Sequence, residues 1–189
     1  MTGAGETLIR RAGPADCAAL ARLGAATFCE TFAHLYAPED LEEFLLRAHT
    51  ASAYAELLAD PQVAIWIASR GPGGEPVAYA VAGRCKLPVE GLESTAGEVR
   101  QLYVLADQQG QQLGTRLLIE ALLWLRAAGR NPVYVGVWSE NAGAQRLYRR
   151  FGFEKIGEYG FPVGRQLDLE YILKCADPLA ARKPPGEAH

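Results

Sequence analysis

The stretch from Glu98 to Leu118 does most to limit what this chain can fold into. Glu98–Leu105 reads as a strand, Ala106-Asp107-Gln108-Gln109-Gly110-Gln111-Gln112 as a polar loop, and Leu113–Ala128 as a long helix. In that helix Leu113, Leu117, Leu118, Ala121, Leu122 and Leu125 fall on one face, and Gly129 stands where a C-cap glycine is wanted. A helix N-terminus carries unpaired N–H groups and the positive end of the helix dipole, so a glycine turn leading into it makes an anion site. Gly110 lets the backbone turn, Gly114 lets a ligand or a strand approach the first helical turn, and Thr115 offers a hydroxyl. No Gly-Lys-Thr is present, so this is not a nucleoside-triphosphate loop, and the lack of G-x-G-x-x-G argues against a dinucleotide site. On this segment alone, glycines that merely shape a tight strand–helix connection stay an open alternative.

The rest of the chain supplies a sheet for that helix. Glu6–Ala12 reads as an opening strand with Leu8 and Ile9 packing inward, and Gly13-Pro14 breaks it. From Ala15 the apolar positions Leu20, Leu23, Phe28 and Phe32 keep helical spacing. A second helix starts near Pro38-Glu39-Asp40 and runs through Leu41, Phe44 and Leu45, followed by a short one over Ser52–Ala59. Val63–Ala68 and Pro76–Gly83 flank the turn Gly71-Pro72-Gly73-Gly74 as a hairpin, and Lys86–Ala96 is a loop. Val133–Trp138, Glu154–Tyr159 and Asp168–Lys174 are strands, and Ala142–Phe151 is a helix. The expected fold is α/β: a mixed central sheet of about seven strands flanked by helices, in the order β-α-α-β-β-β-α-β-α-β-β. One domain over residues 1–175 suits a chain of 189 residues that is 49% hydrophobic, with 176–189 a frayed tail.

Several function classes drop out. A net charge of −3 without a basic stripe speaks against nucleic acid, while leaving room for a cationic substrate. No apolar run nears the ~20 residues that span a bilayer, and Met1–Glu6 has no leader character. A cytoplasmic protein free of membrane is therefore expected. Cys17, Cys29, Cys85 and Cys175 form no metal spacing with His34, His49 and His189, so no metal is expected and the thiols read as reduced.

A second motif sharpens this. In Asn141-Ala142-Gly143-Ala144-Gln145-Arg146-Leu147-Tyr148-Arg149-Arg150-Phe151-Gly152-Phe153, Asn141 stands at an N-cap and Ala144, Leu147, Tyr148 and Phe151 lie near one face. Q-G-x-x-L-G-T-x-L-L followed later by N-x-x-A-x-x-L-Y-x-x-F-G-F resembles the two cofactor motifs of GNAT acetyltransferases, with one helix and one strand between them. The resemblance implies that acetyl-CoA is the acetyl donor. It implies that Leu102, Tyr103 and Val104 bind the pantetheine arm through backbone groups, and that Gln109, Gly110, Gln111, Gln112, Leu113, Gly114 and Thr115 hold the pyrophosphate on their amides. It further implies that Asn141 contacts the cofactor, that Arg150 or Arg149 reaches a phosphate, and that Tyr148 lies beside the thioester sulfur. The family pattern (Q/R)-x-x-G-x-(G/A) is departed from at Gln112, which replaces the middle glycine and is expected to crowd the pyrophosphate.

A narrower likeness exists. Thr27–Phe32, Tyr36–Leu41, Gly136-Val137-Trp138 and the stretch Gly160–Lys174, with Asp168 just before the last strand, are similar to PaiA-type spermidine/spermine acetyltransferases. That likeness implies a small-molecule amine, with polyamines as the leading class. Transfer to an amine needs a neutral nitrogen, a polarised carbonyl and a protonated leaving thiolate. Tyr148 is the candidate acid, since a phenol near its usual pKa of ~10 stays protonated. Glu98 is the candidate base, sharing strand parity with Arg100, Leu102 and Val104, and the Val104 amide is the candidate oxyanion donor. Packing under the helix for Tyr148 and a surface position for Glu98 remain the alternatives. Phe28, Glu30, Phe32 and Tyr36 are the candidate acceptor-binding residues, with Glu39, Asp40, Glu42 and Glu43 nearby for cation selection. No residue reads as a covalent nucleophile, Cys29 and Cys85 lacking a nearby histidine in sequence, so direct transfer in a ternary complex is preferred. Protein or peptide acetylation and a non-catalytic acyl-CoA-binding module are the competing readings, and a homodimer is left open.

Overall fold

The computed structural model describes residues 7–180. The leader reading of Met1–Glu6, the expected strand start at Glu6 and most of the expected tail, 181–189, lie outside the described residues. In chain order the elements are β1 (Thr7–Arg11), α1 (Cys17–Phe32), α2 (Pro38–Ala48), α3 (Ala51–Ala59), β2 (Val63–Arg70) and β3 (Pro76–Arg84). There follow β4 (Gly97–Val104), α4 (Leu113–Ala127), β5 (Val133–Trp138), α5 (Ala142–Arg149), β6 (Glu154–Val163) and β7 (Gln166–Cys175). The strands form one mixed sheet in the order β1-β2-β3-β4-β5-β7-β6, which is the α/β architecture the sequence implies.

The centre of the sheet is buried on both faces. Ile65, Ile67, Tyr79 and Val81 pack with Leu20, Leu23 and Tyr54 from α1 and α3. On the other face Ala64, Ala68, Ala78, Ala80 and Ala82 leave a shallow surface, and the leucine stripe of α4 lies on it. Leu117, Leu118 and Leu125 of that stripe have no exposed surface.

Several boundaries differ from the expectation. Leu8 does not pack inward: it is 40% exposed while Ile9 joins the core, because neighbours in a strand face opposite ways. Pro14–Asp16 forms a 3-10 turn before α1 begins, and α5 ends at Arg149. The last two strands are much longer than expected, closing through a turn at Gly164, whose φ is +54°. Gly160 and Pro162 obscured that hairpin in the sequence. Both are tolerated because β6 is an edge strand, where a missing donor is harmless. Asp168 consequently lies inside β7, as the strand reading Asp168–Lys174 has it, and not just before the strand as the narrower likeness implies.

Two irregularities of β4 set up the site. Val81 pairs with Gln101 and Ala82 with Val99, so Arg100 is the extra residue of a bulge. The bulge breaks the expected parity: Leu102 and Val104 pack on the α4 side, with Val99, while Glu98 opens on the opposite face. Second, β4 and β5 are the one parallel pair, and they pair only at Gly97↔Val133 and Glu98↔Tyr134 before parting. From Val99 onward the ladder partners of β4 lie on the β3 side alone.

Candidate active site

Two cavities open along the parted strands. The larger, of about 810 Å³, is lined by Leu102, Tyr103 and Val104 from β4 and by Gln109, Gly110, Gln112, Leu113, Gly114 and Thr115 from the loop and the first turn of α4. Asn141, Tyr148 and Arg150 line it from α5 and its ends. Of the expected cofactor residues only Gln111 is not brought to it. Thr31, Gln108, Ala144, Leu147 and Phe151 line it as well and were not anticipated.

The loop is tied down from outside. The Ala106 N–H donates to Glu30 Oε2 at 2.9 Å, and Arg70 Nε donates to Gln108 Oε1 at 3.1 Å. Gln109 Nε2 donates to the Val104 carbonyl at 3.3 Å. Gly110 has φ +79°, as its role in the turn requires. Gln112, the N-cap of α4, has φ 60° and ψ 11°, and among the described residues it is the one non-glycine with positive φ. The departure from the family pattern thus falls on a left-handed position, where a side chain costs about 1–2 kcal/mol. Its side chain makes no capping bond. The first helical hydrogen bond runs from Arg116 N to Gln112 O at 3.0 Å, so the amides of Leu113, Gly114 and Thr115 precede the helical ladder at the cavity wall. A Cβ on Gly114 would lie 3.7 Å from Leu147 and 3.8 Å from Val104, ordinary contacts, so packing alone does not demand glycine there.

On the far wall, Asn141 Oδ1 accepts from the Ala144 N–H at 2.9 Å and caps α5. That fixes the angle at which Tyr148 is presented two turns after the cap. Tyr148 is 5% exposed and stands edge-on to Phe153, with ring centroids 5.8 Å apart. Burial, and then the charge of Glu170, hold its phenol pKa well above the ordinary value, so it is fully protonated at neutral pH.

The smaller cavity, of about 150 Å³, has aromatic walls: Phe28, Phe32, Tyr36, Phe44, Trp138, Tyr159 and Phe161. Tyr103 lines both cavities and marks where they meet. The structure brings Phe28, Phe32 and Tyr36 here as expected, but not Glu30, Glu39, Asp40, Glu42 or Glu43. Phe28 and Phe32 are one helical turn apart and face inward; Glu30, two residues on from Phe28, faces away and anchors the loop instead. Asp40 is engaged by Arg165 at 3.2 Å.

The acids of this cavity come from strands. They are Glu98 on β4 and Asp168 and Glu170 on β7. Glu98 Oε2 accepts from the Lys86 N–H at 2.8 Å. Asp168 accepts from the Tyr36 hydroxyl and, at 2.8 Å, from Gln166 Nε2. Glu170 Oε2 accepts from the Tyr159 hydroxyl. Burial raises the pKa of Glu98 and of Glu170, and the charges of Asp168 and Glu98 push Glu170 further the same way. His49, also on the wall, is held neutral, its pKa lowered to about 4 by burial. The cationic group on the wall is Arg100, whose Nη2 donates to the Arg84 carbonyl at 2.6 Å, while its buried Nε and the buried Oε1 of Gln101 have no partner. A signal for the β7 acids was present in the sequence: in Leu167-Asp168-Leu169-Glu170 the carboxylates sit two apart and so share a strand face.

Cys85 is buried and its pKa is pushed up to about 11 by burial, and all four cysteines are free. No group of metal-ligating side chains occurs among the described residues.

Comparison with known proteins agrees with this geometry. The model of the acetyltransferase (GNAT) family matches residues 29–153. An L-methionine sulfoximine/L-methionine sulfone acetyltransferase of Pseudomonas aeruginosa is 36% identical over 108 residues, 56% of this chain, and the chain covers 61% of that relative's length. An uncharacterized N-acetyltransferase of Mycobacterium bovis is 28% identical over 158 residues, 84% of this chain and 96% of that protein. Among solved structures, PaiA N-acetyltransferase of Thermoplasma acidophilum in complex with coenzyme A shares the fold with a TM-score of 0.70 at 15% identity, over 90% of this chain and 99% of the other. A putative acetyltransferase of Salmonella typhimurium with its cofactor acetyl-CoA gives 0.64 at 24% identity, over 97% and 100%.

Proposed function

The chain belongs to the GNAT acetyltransferase family, and on that premise we propose that it transfers an acetyl group from acetyl-CoA to the amine of a small cationic acceptor. One observation carries the reading: a large cavity under the N-terminus of α4 meets, at Tyr103, a small aromatic cavity holding three carboxylates. The large cavity fits the donor. The amides at the start of α4 and the Arg150 guanidinium suit its phosphates, and the unpaired side of β4 suits the amides of its arm. The donor supplies an activated acetyl thioester. Tyr148 is protonated at neutral pH and supplies the proton the departing sulfur requires. The small cavity suits an ammonium group, through carboxylate pairing and attraction to aromatic faces.

Direct transfer is favoured over a covalent acyl-enzyme because no activated nucleophile lines either cavity. Three carboxylates against one arginine favour an acceptor with more than one positive charge, so polyamines lead. A second reading is an amino-acid acceptor. It draws on the unpartnered Arg100 Nε, which could take a carboxylate, and on the likeness to an enzyme named for methionine derivatives. The narrow, walled acceptor cavity fits either better than a peptide chain. We place the chemistry within one domain over the described residues, in a cytoplasmic protein. Among the described residues no helix is long and apolar enough to cross a membrane.

The test is an acceptor screen with acetyl-CoA, following free thiol. Diamines and polyamines should turn over well, methionine sulfone weakly and peptides least. Coenzyme binding by calorimetry without turnover of any amine would reduce the protein to a binding module and overturn the reading.

A further inference from the structure

We propose that Glu170 is the catalytic residue that takes the proton from the acceptor ammonium, held in place by Tyr159 and by the space at Gly136. The inference rests on the acetyltransferase reading above and assigns the proton path within it.

Position along the cavity separates the two glutamates. Glu170 pairs across the sheet with Trp138, at the open end of the gap between β4 and β5. Glu98 pairs with Tyr134 at the closed end, where β4 and β5 are still joined. Electrostatic reach gives the same order: the charge of Glu170 bears on Tyr148 and Tyr103, at the junction with the donor cavity, and that of Glu98 bears on Tyr159 and Glu170. Glu98 is turned toward the loop after β3, where it is tied to the Lys86 N–H.

The surroundings of Glu170 look arranged for it. The Tyr159 hydroxyl fixes Oε2, and Oε1 has no hydrogen bond among the described residues. A Cβ at position 136 would come within 2.8 Å of Glu170 Oε2 and 3.0 Å of the Tyr159 hydroxyl, so glycine makes room for the pair. A carboxylate confined by aromatic rings and two other acids has a raised proton affinity, which makes it a better base than an ordinary carboxylate.

The protons balance. The acceptor arrives as an ammonium and gives one proton to Glu170, leaving a neutral amine. Its nitrogen forms a bond to the acetyl carbon as the carbon–sulfur bond breaks, and the departing sulfur takes a proton from Tyr148. The nitrogen then sheds its second proton, which restores Tyr148, and Glu170 releases its own proton to solvent.

The experiment compares Glu170→Gln, Glu98→Gln and Tyr159→Phe over pH 5.5–9.5 with the best amine from the screen. Glu170→Gln should lower kcat by about 10²-fold or more and abolish the acidic limb of kcat/KM, with coenzyme A affinity by calorimetry unchanged. Glu98→Gln should keep the limb but move it to lower pH, since a like charge is removed. Tyr159→Phe should move it to higher pH, because a hydrogen bond to the charged form is lost. The groups that face Glu170 and help set the limb are Glu98, Tyr103 and Arg100 on β4, Asp168 on its own strand, Tyr159 on β6, Tyr148 on α5 and Tyr36 before α2. A limb that survives in Glu170→Gln and vanishes in Glu98→Gln overturns the assignment while leaving the acetyltransferase reading intact. No turnover by the wild type with any amine sinks that reading itself, and this assignment with it.

Discussion

Replacing Gln112 by glycine should make the protein more stable. Position 112 holds φ 60° and ψ 11° at the start of α4, and the side chain there repays nothing, since it makes no capping bond. A non-glycine residue in the left-handed region costs about 1–2 kcal/mol. Part of that gain is returned, because glycine is freer in the unfolded chain. The net expectation is about 1 kcal/mol, or about 2–4 °C in melting temperature for a domain of this size. Gln112→Ala is the necessary control. It removes the same side-chain atoms but keeps the strained Cβ, so its melting temperature should stay within about 1 °C of the wild type. The assay is thermal unfolding of both variants without ligand, followed by coenzyme A titration calorimetry. Both variants keep the amides of the first helical turn, so neither should bind coenzyme A more weakly than the wild type. Equal melting temperatures for glycine and alanine would refute the reasoning, for they would show that residue 112 is not strained.

Three further outcomes are expected. Tyr148→Phe should leave coenzyme A affinity within about twofold and lower kcat by about 10²-fold; an unaltered kcat would remove the phenol from the chemistry. Gly136→Ala should lower kcat/KM for the amine by about tenfold through displacement of Glu170 and Tyr159, as a cost of about 1.4 kcal/mol implies, with donor affinity unaffected; unchanged amine kinetics would show that the strand relaxes around the methyl group. His49 makes the fold acid-sensitive. Its folded pKa of about 4 lies below the unfolded value of 6.5, so below pH 6.5 the unfolded chain binds a proton that the native state refuses. Stability is therefore intact above pH 6.5 and falls as pH drops toward 4, by up to about 3 kcal/mol. Urea unfolding at pH 7 and pH 4.5 should show a smaller loss in His49→Gln than in the wild type, and equal losses would exonerate the histidine.

Local patterns made most of the fold legible in the sequence. The α4 leucine stripe, the Asn141 cap and Val133–Trp138 all announce themselves within a dozen residues. The lining of the larger cavity was legible for the same reason, being built from one loop and two helix starts. That of the smaller cavity was not. Its carboxylates come from two strands some seventy residues apart in sequence, and which face each strand presents depends on a bulge that periodicity cannot reveal. Acids at the start of α2 looked better placed because adjacency on the chain was mistaken for adjacency in space. Glu30 illustrates the point: its neighbours Phe28 and Phe32 turn into the smaller cavity, and helical geometry sends it the other way to brace the loop.

The parting of β4 from β5 has a consequence for how the molecule hangs together. Four strands lie on one side of it and three on the other, and the ladder across is only two residue pairs long. In effect the sheet is two panels joined by a short ladder and by the core beneath α4 that both share. Anything long enough to lie in the slot and bond to both edges acts as a fastener as well as a reactant. A bound donor should therefore stabilise the scaffold as well as react.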